Sequence, residues 1–155
     1  MNKISQIYST LFFIGYIKWF PGTVGSFVSI IIIFLLNKIL NNFEFIILFI
    51  FLLILATKLI DIYSKKINKH DAKEIIIDEF LGIYFVIIFS YNFDSFNEFV
   101  KVSLIFIIFR ILDIFKPYPA NWIDSNINNS YGIILDDIIA GIYTIIILSI
   151  INAFI

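Results

Sequence analysis

Five stretches of this chain, at residues 27 to 40, 43 to 60, 75 to 91, 99 to 115 and 132 to 155, consist almost wholly of Ile, Leu, Phe and other apolar residues. A perpendicular bilayer span needs roughly 20 such residues, so the runs predict an all-α, polytopic membrane bundle of about five transmembrane helices. The first run is short. Tilting it, or borrowing residues from the loop before it, would bring it to length. Residues 7 to 20 read as an interfacial helix, with Tyr16 and Trp19 at headgroup level and Lys18 in water. No small-residue cleavage site follows Leu11 to Ile14, so a removed signal peptide is not expected. The whole chain, 1–155, reads as one integral-membrane domain.

Composition narrows the function classes. With 61% hydrophobic and only 15% charged residues, the charges gather in a few short stretches between the runs. A formal net charge of -1 removes the basic footprint that nucleic-acid binding requires. No Cys and one His exclude thiolate chemistry and any histidine pair. Lys58, Lys65, Lys66, Lys69 and Lys73 all fall between the second and third runs, whereas the loop from Asn92 to Glu98 is acidic. By the positive-inside rule the lysine-rich loop is cytoplasmic. Alternate threading then puts the N-terminus inside and the C-terminus outside.

This topology brings every unusual polar element to one face. Pro21-Gly22-Thr23-Val24-Gly25-Ser26 opens the first helix, and Asp78, Glu79 and Gly82 open the third. Arg110, Asp113, Lys116, Pro117 and Pro119 close the fourth; Gly132, Asp136, Asp137 and Gly141 open the fifth. An ionised carboxylate at the bilayer centre costs roughly 2.5 to 3.5 kcal/mol. Asp78, Glu79, Asp113, Asp136 and Asp137 would also repel one another unless a cation neutralised them. Hard oxygen ligands of this kind select Mg²⁺, Mn²⁺ or Ca²⁺. Candidate ligands are Asp78, Glu79, Asp136 and Asp137, with Asp113 as a further one; static pairing with Arg110 and nearby lysines is the bland alternative. Asp78 and Gly82 are four apart, as are Asp137 and Gly141, so each acid has a small residue one turn deeper where helices can approach closely.

Gly22, Thr23, Gly25 and Ser26 put amides and hydroxyls just ahead of a helix N-terminus, a place that favours a phosphate, although a capping turn with Ser26 as N-cap reads the same way. Arg110 and Lys116 bracket Asp113, three residues to either side, and on a continuing helix all three share a face. They offer a fork donor and a point charge for phosphate oxygens. Pro117 and Pro119 stop the helix and hold the chain extended beside Trp122. His70 beside Asp71 is a further candidate, though a lone loop histidine is usually just solvated.

Together, Pro21-Gly22-Thr23-Val24-Gly25-Ser26, His70-Asp71, Asp78-Glu79-Phe80-Leu81-Gly82, Phe109-Arg110-Ile111-Leu112-Asp113 with Lys116-Pro117-Tyr118-Pro119, and Gly132 through Asp136-Asp137 to Gly141 resemble the phosphatidylglycerophosphatase A family. Tyr118 stands where that family often has Trp. The resemblance implies a Mg²⁺-dependent lipid phosphomonoesterase of the bacterial inner membrane, working on phosphatidylglycerophosphate from the cytoplasmic side. The residue types permit either a metal-activated water or an aspartyl-phosphate route. Two rivals are a CDP-alcohol phosphotransferase, whose Asp-Gly then Ala-Arg series is absent, and a small cation carrier, whose acids should lie near mid-membrane.

Overall fold

The computed structural model describes residues 3–70, 72–90 and 96–154, and all regular structure among them is helical. In chain order the α-helices are α1 (Lys3–Ser9), α2 (Pro21–Ile39), α3 (Asn42–Ile67), α4 (Ile77–Phe89), α5 (Glu98–Phe115), α6 (Ala120–Asn126) and α7 (Ser130–Phe154), with a 3₁₀ turn at Ile14–Tyr16. Three of the described helices, α2, α3 and α7, are both long and apolar enough to cross a membrane.

The helix ends follow local chemistry. The first apolar run gains its length by taking the Pro-Gly-Thr motif into α2: Pro21 is the first helical residue and Phe20, not Ser26, is the cap. Proline suits that position because its missing N–H would be unpaired there anyway. At α3 a capping box closes, with Asn41 Oδ1 accepting the Glu44 N–H at 3.0 Å and Glu44 accepting the Asn41 N–H at 3.1 Å. α7 starts on two caps, one of them from another helix: Asn129 Oδ1 accepts the Tyr131 N–H at 3.0 Å, and Asp61 of α3 accepts the Ser130 N–H at 2.9 Å.

Several expectations about individual elements change. Residues 7 to 20 do not form one interfacial helix: α1 ends at Ser9, and Leu11, Phe12 and Phe13 all take positive φ as the chain turns back. Tyr16 and Trp19 are nevertheless exposed, as headgroup-level aromatics would be. After α5 the chain is not extended beside Trp122 but turns directly into α6. Of the five expected spans, length and composition support three among the described helices. α4 has 13 residues, about 20 Å at 1.5 Å per residue against a hydrocarbon core of roughly 30 Å. α5 carries Glu98, Lys101, Arg110 and Asp113 in its 18 residues.

The third apolar run is apolar for a different reason. Ile77, Phe80, Leu81, Ile83, Tyr84, Val86 and Ile87 of α4 are all buried, enclosed by α2, α3 and α7, and Tyr84 donates to the Phe45 carbonyl at 3.0 Å. The outer faces of α2, α3, α5 and α7 instead expose Phe27, Ile31, Phe51, Ile54, Ile107, Ile111, Ile146 and Ile150. A belt of that kind has lipid as its solvent. In lipid the hydrophobic effect does not pull helices together, so close packing must. The two predicted glycines supply it: a Cβ on Gly141 would lie 3.2 Å from the Gly82 carbonyl oxygen, and one on Gly82 would lie 2.7 Å from the Phe109 ring and 3.0 Å from the Asp137 carbonyl.

At the end of the bundle away from α6, Lys38 of α2 pairs with Glu98 of α5 at 3.4 Å, and Lys101 reaches the Ser90 carbonyl after α4 at 3.4 Å. α5 therefore runs antiparallel to both. The starts of α2 and α4 and the last turns of α5 share the opposite end, where Asp136 and Asp137 of α7 also lie.

Candidate active site

A cavity of about 720 Å³ opens at that end, lined by Lys18 to Thr23, Lys73, Ile75, Asp78, Glu79, Arg110, Asp113, Ile114, Lys116, Ile133, Asp136 and Asp137. Four stretches of sequence, the first and last more than a hundred residues apart, thus meet around one cavity. Asp78 and Glu79 stand in the first turn of α4. Asp136 and Asp137 lie in the second turn of α7, about 10 Å in from its start at 1.5 Å per residue, so the acids are recessed.

Within the cavity the five acids separate into two groups. Carboxylate oxygens of Asp78, Glu79 and Asp137 all lie within 4.8 Å of one another. Like charges at that spacing repel by roughly 3 to 4 kcal/mol per pair at an effective dielectric near 20, so the trio is tolerable only around positive charge. Glu79 Oε2 and Asp137 Oδ1 are buried with no hydrogen-bond partner among the described residues. Hard carboxylate oxygens are the donor set a divalent cation takes, and these three residues are placed where together they could hold a metal ion.

Asp113 and Asp136 are each in closer contact with a basic side chain. Asp113 pairs with Arg110 one turn earlier on α5. Lys116 Nζ sits 2.5 Å from Asp136 Oδ2 and 2.9 Å from Asp124 Oδ1 of α6, and Asp136 Oδ1 accepts the Asp137 N–H at 3.1 Å. Burial pulls the Lys116 amine toward its neutral form, but the hydrogen bonds and charges of Asp136 and Asp124 outweigh it and hold its pKa above the usual range. It is cationic at neutral pH. The shared face expected for Arg110, Asp113 and Lys116 does not form: α5 ends at Phe115, and Lys116 takes a left-handed cap conformation before Pro117, which swings it toward α6 and α7.

Arg110 ties α5 to the start of α2. Its guanidinium donates to Ser26 Oγ at 3.3 Å and Thr23 Oγ1 at 3.4 Å, and lies 3.6 Å from Glu79 Oε1. Gly22 makes this possible, because a Cβ there would collide with Glu79 Oε1 and sit 3.3 Å from both terminal nitrogens of Arg110. The first-turn amides of Gly22 and Thr23 precede the first intrahelical bond of α2, from Val24 N–H to the Phe20 carbonyl. Gly25 and Ser26 do not line the cavity: Gly25 is packed on Ile76, whose Cδ1 would be 3.0 Å from a Cβ, and Ser26 holds Arg110 from behind.

His70 is elsewhere, beside a separate pocket with Lys65, Lys69 and Asn129, and Asp71 lies outside the described residues. Sequence reasoning missed Lys18 and Lys73 as cavity residues and Asp124 as a partner of Lys116. The lysines were indistinguishable from topology signals, and only the fold selects them from the other lysines.

Comparison with known proteins identifies a family. The family described as phosphatidylglycerophosphatase A matches residues 7–152. Phosphatidylglycerophosphatase A of Escherichia coli (strain K12) is 32% identical over 122 residues, covering 79% of this chain and 68% of that protein. The protein of the same name from Haemophilus influenzae is 30% identical over 133 residues, 86% of this chain and 79% of its own. No solved structure matches the chain. The match covers all four elements of the cavity, and the chain belongs to the phosphatidylglycerophosphatase A family.

Proposed function

We propose that this protein hydrolyses the terminal phosphate monoester of phosphatidylglycerophosphate, giving phosphatidylglycerol and inorganic phosphate, with Mg²⁺ held by Asp78, Glu79 and Asp137. The observation that carries this reading is the meeting of those three carboxylates, within 4.8 Å of one another, with Arg110 and Lys116 in one cavity. Magnesium in such a site supplies positive charge against which the oxygens of a phosphoryl group are neutralised.

The protein's own groups do the rest by positioning. Arg110 offers its planar fork to the phosphoryl oxygens, and Lys116 offers a point charge. Asp113, Thr23 and Ser26 hold the fork in place, while Asp136 and Asp124 hold Lys116. Asp113 and Asp136 therefore orient the cations, and the other three acids form the ligand set. The amides of Gly22 and Thr23 add the positive end of α2.

The lipid tail stays in the bilayer. Trp19, Phe20 and Ile114 line the cavity and are exposed, which gives the acyl chains an apolar exit beside the headgroup. The lysines of α3's last turns lie at the same end of the bundle, so we place the cavity at the cytoplasmic face of a bacterial inner membrane. α4 and α5 complete the bundle as its inner and charged members.

Expression in a bacterial strain stripped of its own phosphatidylglycerophosphatases tests the activity. The wild-type chain clears the accumulated phosphatidylglycerophosphate, and Asp137→Asn, accumulating to the same level in membranes, does not. Persistence of the lipid with the wild-type chain present in membranes would refute the reading.

A further inference from the structure

The cavity is lined by basic as well as acidic side chains. Four basic residues line it: Arg110, Lys116, Lys18 and Lys73. Arg110 and Lys116 are committed to carboxylates. Lys18 and Lys73 are exposed at the rim, and among the described residues neither has a carboxylate within ion-pair distance.

Their position is built in. Lys18 follows the turn after α1, and Lys73 lies in the segment leading into α4. The chain around these two lysines is fastened together: the Ile76 N–H donates to the Ser9 carbonyl at 3.0 Å, and Gly15 abuts the Glu74 carbonyl so closely that no side chain would fit there. The Tyr16 hydroxyl is 2.7 Å from that of Tyr63, which pins the turn to α3. Rim lysines are often only topology signals. Here the other lysines near this end serve as the comparison, since Lys58, Lys65 and Lys66 of α3 and Lys69 after it do not line this cavity.

We propose that Lys18 and Lys73 form a second anion subsite that takes the phosphodiester of the lipid headgroup while the carboxylate end of the cavity takes the terminal monoester. The proposal rests on the hydrolytic reading above and adds the basis of substrate choice. A diester is a monoanion held near the membrane surface, which two flexible point charges suit. A dianionic monoester suits the fixed fork of Arg110. Trp19, next to Lys18 and 72% exposed, marks the headgroup level at which that diester would lie. A lipid with two phosphates is then preferred over one whose single phosphate monoester sits directly on the diacylglycerol.

The test uses purified protein in mixed micelles of an uncharged detergent, with phosphatidylglycerophosphate and phosphatidic acid of the same acyl composition at equal mole fraction. Two exposed ion pairs of the usual strength correspond together to roughly tenfold in binding. Lys18→Gln/Lys73→Gln should raise KM for phosphatidylglycerophosphate about tenfold and change that for phosphatidic acid less than about twofold, so the preference between them collapses. Lys18→Arg/Lys73→Arg should retain it. An equal fall on both lipids would mean that the lysines only attract anionic micelles, and no change on either would mean that they contact nothing; each overturns the subsite. If the wild-type protein releases phosphate from neither lipid, the hydrolytic reading falls and the subsite with it.

Discussion

Gly22→Ala separates the geometry of the acid cluster from the stability of the bundle. A methyl group at Gly22 points at Glu79 Oε1 and at the terminal nitrogens of Arg110. The colliding atom is the far end of a side chain, so the protein can fold by moving Glu79 away. Restoring ordinary contact displaces that oxygen by on the order of 1 Å, and misplacements of this size cost about 10²-fold in rate. The same substitution favours the helix, because Ala is better than Gly by up to about 1 kcal/mol in a helix. The expected outcome is a variant that melts in detergent at or above the wild-type temperature yet turns over phosphatidylglycerophosphate about 10²-fold more slowly, with a raised Mg²⁺ requirement. Phosphate release across a Mg²⁺ series, read beside thermal unfolding, measures both. Turnover within about threefold of wild type and an unchanged Mg²⁺ curve would refute the reasoning, since Glu79 would not need to sit where it does.

Gly82→Ala should behave oppositely. Its Cβ meets the Phe109 ring at 2.7 Å and the Asp137 carbonyl at 3.0 Å, so α4 and α7 must separate, and overpacking of this kind costs typically 1 to 3 kcal/mol; a lower unfolding temperature and poor accumulation in membranes check it. Asp137→Asn should abolish Mn²⁺ binding to the purified protein as read by electron paramagnetic resonance, whereas Asp113→Asn should keep it. Arg110→Lys retains charge but loses the fork that spans Thr23, Ser26 and Asp113, and turnover should fall by about 10² or more with Mn²⁺ binding intact; near-normal turnover would return Arg110 to a charge-balancing role.

The helices that touch lipid on one side were legible in the sequence, because the apolar runs of α3 and α7 approach the length that a bilayer demands and α2 reaches it by taking in the motif before its run. So was the convergence of the polar motifs, since charges in an apolar chain collect where they can neutralise one another. The small residue one turn beyond Asp78 and beyond Asp137 also marked the close α4–α7 packing correctly. Hydropathy could not tell a helix bathed in lipid from one enclosed by protein, so α4 read as an ordinary span. It could not see the turn at Leu11 to Phe13 either, because three successive positive φ angles at non-glycine residues leave no mark on hydropathy.

The separation of roles among the acids was partly legible and was passed over. Adjacent residues on a helix point about 100° apart, which lets Asp136 and Asp137 take different partners. One turned to Lys116 and the other to Asp78 and Glu79. Likewise, a residue before proline is biased away from helical geometry, and Lys116 before Pro117 was never placed to share a face with Arg110. What no local rule supplies is the partner of each cation, which depends on α6 folding back as a helix to bring Asp124 to Lys116.

Inorganic phosphate released from phosphatidylglycerophosphate by the purified protein, followed while Mg²⁺ is chelated and then restored, tests the central claim most directly. Release should stop on chelation and return on addition of Mg²⁺. Release that continues undiminished without a divalent cation, or none at any Mg²⁺ concentration, would contradict a metal-dependent phosphatase built on Asp78, Glu79 and Asp137.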